Sequence, residues 1–312
     1  MNPLRFFAAI LLAATSAPAA VDPALLDLVM PDAQVLAGMQ VQQSLASPFG
    51  QYILTQVPAN DGVTRFAAAT GLDLRRDVRE ILMASVDGRL DAGSASPGLI
   101  LVRGTFQPGR IAALATLAGS NVTSENGLVV ITPPQNAAGT SFAFLDSSTL
   151  VLGDRASVKS ALARHAANAS FAGPLAQQAQ IASGANDAWV TTLTPLAQFM
   201  KGANTPLPPA LLQTIAGISA GVHFDSAAVT LLGEVSTPSA KDAQSMADGL
   251  KFLAAMLQAN KNRNPQAATL LQGAQFTADG PLMRISLSVP EQQMEEIFVL
   301  PGAKPKKIAS RQ

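Results

Sequence analysis

"TSFAFLDSSTLVLGD", Thr140–Asp154, decides the fold class. An apolar strand pattern runs to Phe144, and Asp146-Ser147-Ser148 supplies turn chemistry, because an Asp carboxylate accepts backbone N–H bonds two residues on. "TLVLGD" then returns as a second strand, and the helical pattern "RASVKSALARH" follows at once. The stretch "HFDSAAVTLLGE", His223–Glu234, repeats the order of strand, Asp-Ser turn, strand, Gly and acid. The echo predicts one architectural unit used twice, with Asp146 and Asp225 as turn formers rather than catalysts.

Working outward, the first half predicts a helix at "DPALLDLVM", with Asp22 as N-cap and Pro23 in the first turn, and a strand at "AQVLAGMQV". "SPFGQYILTQV" reads as a helix capped by Ser47, "VTRFAAAT" as another, and Asp73 caps a turn leading into the apolar run Ile81–Val86. A buried strand at "PGLILVRGTF" and a helix at "QPGRIAALATLAG" precede the hairpin "NVTSENGLVVIT", whose Asn126-Gly127 is a type I′ turn signal. The second half offers a strand at "DAWVTTLT", helices at "PLAQFM" and "PPALLQTIA", and the echoing hairpin. A long helix capped by Ser239, a hairpin turning at Asp279-Gly280-Pro281 and a helix after Pro290 complete it. The fold class is therefore α+β, with two related units, each a mostly antiparallel sheet with helices packed on one face. The expected divisions are a signal peptide over 1–19, a first unit over 20–165, a helix-bearing connector over 166–184, a second unit over 185–302 and a basic tail over 303–312.

At the N-terminus, Arg5 precedes an apolar run from Phe6 to Ala14, and Ala17-Pro18-Ala19 forms an A-x-A exit. That is the pattern of a cleaved secretory signal; the run is too short for the roughly 20 apolar residues of a membrane span. The chain is expected to mature at Ala20 as a periplasmic or secreted protein with no integral membrane segment. Cys is absent, which removes acyl anchoring, disulfides, thiolate metal sites and Cys nucleophiles together. With 48% hydrophobic and 13% charged residues the chain is globular, and with one Trp and one Tyr its core must rest on aliphatic residues and Phe. Formal net charge is zero, but Arg5 and the tail residues Lys304, Lys306, Lys307 and Arg311 supply five of the 21 basic residues and no acid accompanies them. The body is consequently acidic and offers no basic face to nucleic acid.

Catalytic templates fare poorly. "GISAG", Gly217–Gly221, matches the G-x-S-x-G nucleophile elbow, but the elbow needs a strand before Ser219 and a helix after it. Here the order is reversed, and the two histidines, His165 and His223, are badly placed, the latter about 13 Å along the same strand. No phosphate loop, dinucleotide fingerprint or calcium loop occurs, so no cofactor or metal is expected. The acid pairs Asp73/Asp77 and Glu295/Glu296 read as capping or solvated groups, and the sequons at Asn121 and Asn168 carry weight only in a eukaryotic host.

The segments "SPFGQYIL", "TGLDLRRDVREIL", "GLILVRGTFQPGRI" and "SFAFLDSSTLVLGDRASVKSAL" together resemble uncharacterised exported bacterial proteins. The likeness covers Asp22 to His165, and what it implies is a signal followed by an α+β layout, with no catalytic residue. The function these readings support is a non-enzymatic envelope or periplasmic binding or scaffold protein, whose partner is an envelope protein or polymer. A serine hydrolase using Ser219 is the alternative. If the two units form one concave surface, "LVRGTF" and "LLGEV" place Arg103 and Glu234 on its strands as polar anchors of opposite sign.

Overall fold

The structure, a computed structural model, describes residues 20–56, 73–88, 98–134, 139–195, 215–225, 227–260, 268 and 270–297. The expected signal peptide and basic tail lie outside the described residues, as do the helix expected at 63–70 and most of those expected over 195–216. In chain order the elements are α1 (Pro23–Leu26), β1 (Val35–Gln40), α2 (Val41–Ala46), α3 (Pro48–Gln56), α4 (Leu74–Asp77), β2 (Val78–Ser85) and β3 (Gly98–Gly104). There follow α5 (Pro108–Leu117), β4 (Asn121–Glu125), β5 (Leu128–Thr132), β6 (Thr140–Phe144), β7 (Thr149–Asp154), α6 (Arg155–Ala166) and α7 (Pro174–Ala185). The last are β8 (Ala188–Thr192), β9 (Gly217–Phe224), β10 (Ala228–Ser236), α8 (Ala240–Ala259), β11 (Gln275–Asp279), β12 (Leu282–Pro290) and α9 (Glu291–Ile297).

Local chemistry starts these elements where it should. Asp22 accepts from the Ala24 amide and Asp73 from the Arg75 amide; Ser47 accepts from the Gly50 amide and Ser239 from the Asp242 amide. Asn126 and Gly127 both have positive φ, 52° and 81°, as a type I′ turn requires. Asp146 accepts from the Ser148 amide at 2.6 Å and from its hydroxyl at 2.8 Å. Burial would raise that carboxyl, but these hydrogen bonds outweigh it and hold Asp146 below the usual carboxylate range.

The strands form one twelve-stranded antiparallel sheet in the order β11-β12-β10-β9-β8-β1-β2-β3-β7-β6-β5-β4. Its two halves join where β1 pairs with β8, from Val35 opposite Thr192 to Met39 opposite Ala188. Each half opens with three successive antiparallel strands and a helix, and its last strand returns to pair with the third; between helix and end the first half has four strands, β4–β7, and the second only two, β11 and β12. The hairpins of the sequence echo are not superimposable residue for residue. Phe144 faces Leu150 across residues 145–149, whereas Phe224 faces Val229 across the shorter 225–228.

Helices cover both faces of the central sheet, which corrects the expectation of helices on one face. On the front, α1, α6 and α7 bring Leu25, Leu26, Val158, Leu162, Ala179 and Ala182 against Leu36, Leu82, Leu99, Leu101 and Val151. On the back, α2 and α5 bring Val41 and Ile111 against Val102, Ile131, Phe142, Phe144 and Leu150. Strands such as β3, "GLILVRG", are apolar on both sides and so must be buried on both. Beyond β8 the expectation holds better: α8, α3 and α9 all lie on the back, over two clusters containing Met246 and Met283, and Phe49 and Met294. No helix among the described residues is long and apolar enough to cross a membrane.

Candidate functional site

Two arrangements of polar groups mark the front face. The first is a row across the sheet at one register, running His223 (β9), Asp187 just before β8, Gln40 (β1), Glu80 (β2), Arg103 (β3) and Thr149 (β7). Most of it is buried: Asp187 has no exposed surface, and Glu80 is 7% exposed. Asp22, at the head of α1, docks onto this row. Its amide donates to Glu80 at 3.1 Å, and its carboxylate lies 2.6 Å from the Arg103 guanidinium. Arg103 also donates to the Thr149 and Ser148 hydroxyls. Val21 is tied in the same way, its amide donating to the Ser183 hydroxyl of α7 at 2.9 Å. Burial raises the Glu80 carboxyl, and the nearby Asp22 carboxylate adds to the effect; the Asp22 amide, Gln40 and Arg103 offset part of it. At the far end Asp187 accepts from the Phe224 amide at 2.7 Å and lies 3.0 Å from Nδ1 of His223, with its other oxygen unpartnered among the described residues. Arg103 is therefore a structural anchor for the N-terminal segment.

The second is a groove of about 260 Å³ beside α7. Its floor is the front of β9, β10, β12 and β11, in two rows: Ser219, Glu234, Arg284, Thr277, and Gly221, Leu232, Ser286, Gln275. Ile181, Ala182, Ala185 and Asn186 form the wall, and Ile181 is 67% exposed although aliphatic. Glycine placement makes this geometry possible. Trp189 of β8 lies between Gly38 and Gly221 on the neighbouring strands, and a Cβ at Gly38 would stand 2.6 Å from its ring. A Cβ at Gly221 would overlap the Asn186 carboxamide, which rests there and donates from Nδ2 to the Ala182 carbonyl at 2.8 Å. The Asn186 oxygen has no hydrogen-bond partner among the described residues. Arg284 bridges two acids, Glu234 at 2.7 Å and Asp279 at 3.1 Å, and both hydrogen bonds raise its already high pKa.

Of the residues singled out in the sequence, Glu234 and Ser219 line the groove, while Arg103 lies five strands away beneath α1. The structure does not bring Arg103 and Glu234 together. Ser219 sits mid-strand between Thr191 and Glu234, without the strand-to-helix turn of an elbow, and the imidazole of His223 lies beside Asp187, its Nδ1 3.0 Å from the carboxylate. Among the described residues no group of three or more His, Asp or Glu could hold a metal ion. Sequence reasoning missed Arg284, Glu80 and Asp187. The alternation of "LMRISLSV" does put Arg284 opposite its apolar neighbours, but nothing in it names Glu234 as the partner.

No protein-family model and no curated protein sequence matches the chain. Solved structures do. Crystal form IV of the bacterial protein TP0453 aligns over 91% of this chain and 99% of its own, with a TM-score of 0.55 at 11% identity. Crystal form III aligns over 89% and 97%, with a TM-score of 0.53 at 10% identity. At that identity the likeness shows the fold alone: this chain shares its overall architecture with TP0453.

Proposed function

We propose that the protein is an exported, non-enzymatic binding protein of the bacterial envelope or periplasm, built from two related α+β units, and that it takes its ligand in the groove beside α7. The observation that carries this reading is the groove itself: a row of polar groups and an exposed isoleucine face the same concave strip, one strand removed from the buried core around Trp189. Sites of this kind combine an apolar lining with a few convergent polar groups. Glu234 is the residue of the sequence-derived pair that serves there, and export is supported by the A-x-A exit after a short apolar run. The return of the last strand to the third in both halves supports their relatedness, although the first half carries two more strands.

The cysteine-free chain makes the test direct. A solvent-sensitive fluorophore on Ser286→Cys reports from the groove, and the same label on Ser124→Cys reports from exposed β4 at the far edge of the sheet. Envelope extract should change emission of the groove label alone. Equal responses at both positions, or none, would end the assignment.

A further inference from the structure

The lining of the groove also specifies what enters it. Arg284 has five N–H donors, and among the described residues Glu234 and Asp279 engage two of them. The two carboxylates orient the guanidinium and leave the remaining donors available to a ligand. One cation between two acids gives the trio a net negative charge, so an incoming carboxylate or phosphate is repelled while a neutral carbonyl is not. The wall contributes no compensating charge, because α7, "PLAQQAQIASGA", has no ionisable residue. Beside the trio, Leu232 of the floor and Ile181 and Ala185 of the wall give the groove an aliphatic part, and the hydroxyls and amide of Ser219, Ser286, Thr277 and Gln275 line the rest of it. The volume lies below the ~300–1,000 Å³ of pockets that enclose drug-sized molecules, and the groove runs out over β11, an edge strand.

We propose that the groove binds an extended, neutral or basic peptide segment, with one aliphatic side chain seated among Ile181, Ala185 and Leu232 and a backbone carbonyl accepting from Arg284. This rests on the groove being the ligand site. A peptide supplies carbonyls at regular spacing with side chains between them, which is the alternation that the aliphatic part and the guanidinium present. Acidic peptides are excluded by the same trio that orients the donors.

The test uses the full chain and three blocked pentapeptides of alanine with Leu, Ala or Asp at the centre, followed through the indole N–H resonance of the single tryptophan, Trp189, and the amides of β9 and β12. The Leu peptide should bind saturably and about tenfold more tightly than the Ala peptide, the order expected for aliphatic groups in an apolar slot. The Asp peptide should not bind. Ile181→Asp, at an exposed helical position, should abolish the preference for Leu, and Arg284→Gln should weaken the Leu and Ala peptides by a similar factor. An Asp peptide that binds as well as the Leu peptide overturns the proposal. So does the absence of binding by all three, and if Ile181→Asp then still abolishes the response of the Ser286→Cys label to extract, the groove reading survives and the peptide class alone is lost. Binding of the Leu peptide unaffected by Ile181→Asp overturns the proposal as well, and the response of the Ser286→Cys label again decides whether the groove reading falls with it.

Discussion

Single atoms decide much of the front face. Glu80 is the clearest case, because burial shifts its carboxyl upward, so the folded chain holds the proton more tightly than the unfolded chain does. The sign follows directly. A carboxyl raised above its unfolded value favours folding fully at acid pH, and that contribution is lost as pH rises through the raised pKa. Glu80→Gln keeps a carbonyl that can accept the Asp22 amide and never ionises. Its melting temperature should therefore exceed that of the parent at pH 7–8, with the gap closing as pH falls toward the ordinary glutamate value of about 4.3. Thermal melts across that range check it; a parent that is the more stable at pH 8 would mean that attraction to Arg103 outweighs burial. Gly38 makes the complementary steric case. Its missing Cβ is where the Trp189 ring lies, so Gly38→Ala must move either a strand or the ring. A cost of about 1–3 kcal/mol is expected for such overpacking, read from chemical denaturation together with a change in Trp189 emission.

At the scale of elements, the sequence was most legible where a side chain acts on its own backbone. Asp22, Ser47, Asp73 and Ser239 were recognisable as caps, and Asn126-Gly127 as a turn, because these signals are complete within a few residues. Helix α2 escaped for the converse reason: its N-cap position, Gln40, makes no side-chain capping bond, and the strand before it runs on without a break. The end α8 uses is of the legible kind. Ser239 accepts from the Asp242 amide at 3.2 Å and donates to the Asp242 carboxylate at 2.7 Å. Ser239→Ala should cost about 1 kcal/mol, lowering the melting temperature by roughly 2–4 °C for a chain of this size. Ser239→Asp should recover most of it, whereas an unchanged Ser239→Ala would show that packing of Ala243, Met246 and Ala247 alone sets the start of the helix. The groove was half legible. Glu234 stood out as an acid at the end of an apolar strand, but its partner Arg284 comes from a different hairpin, and pairing between hairpins leaves no local trace in a sequence.

For the whole molecule, the least legible fact was the β1–β8 junction, since a connector rich in Ala, Gln and Ser gives no sign that its helix is core. Yet α7 buries Ala179 and Ala182 against the same cluster as Leu36 and Leu82, and its Ser183 holds the Val21 amide. From the other side Glu291 of α9 accepts from the Phe49 amide at the start of α3, so the C-terminal half also braces the N-terminal one. The likeness to TP0453, which spans both halves, fits a fold that exists as a whole. The segment 20–165 should therefore fail to fold when expressed alone. It would lose the cover over Leu36 and expose β1 as an unpaired edge, with the aggregation hazard such edges carry. The full chain should instead unfold in one transition whose calorimetric and van't Hoff enthalpies agree. Scanning calorimetry of both species is the check. A sharp transition in segment 20–165, or two resolved transitions in the full chain, would show that the units are separate domains that share an edge, and that the groove beside α7 belongs to the second unit alone.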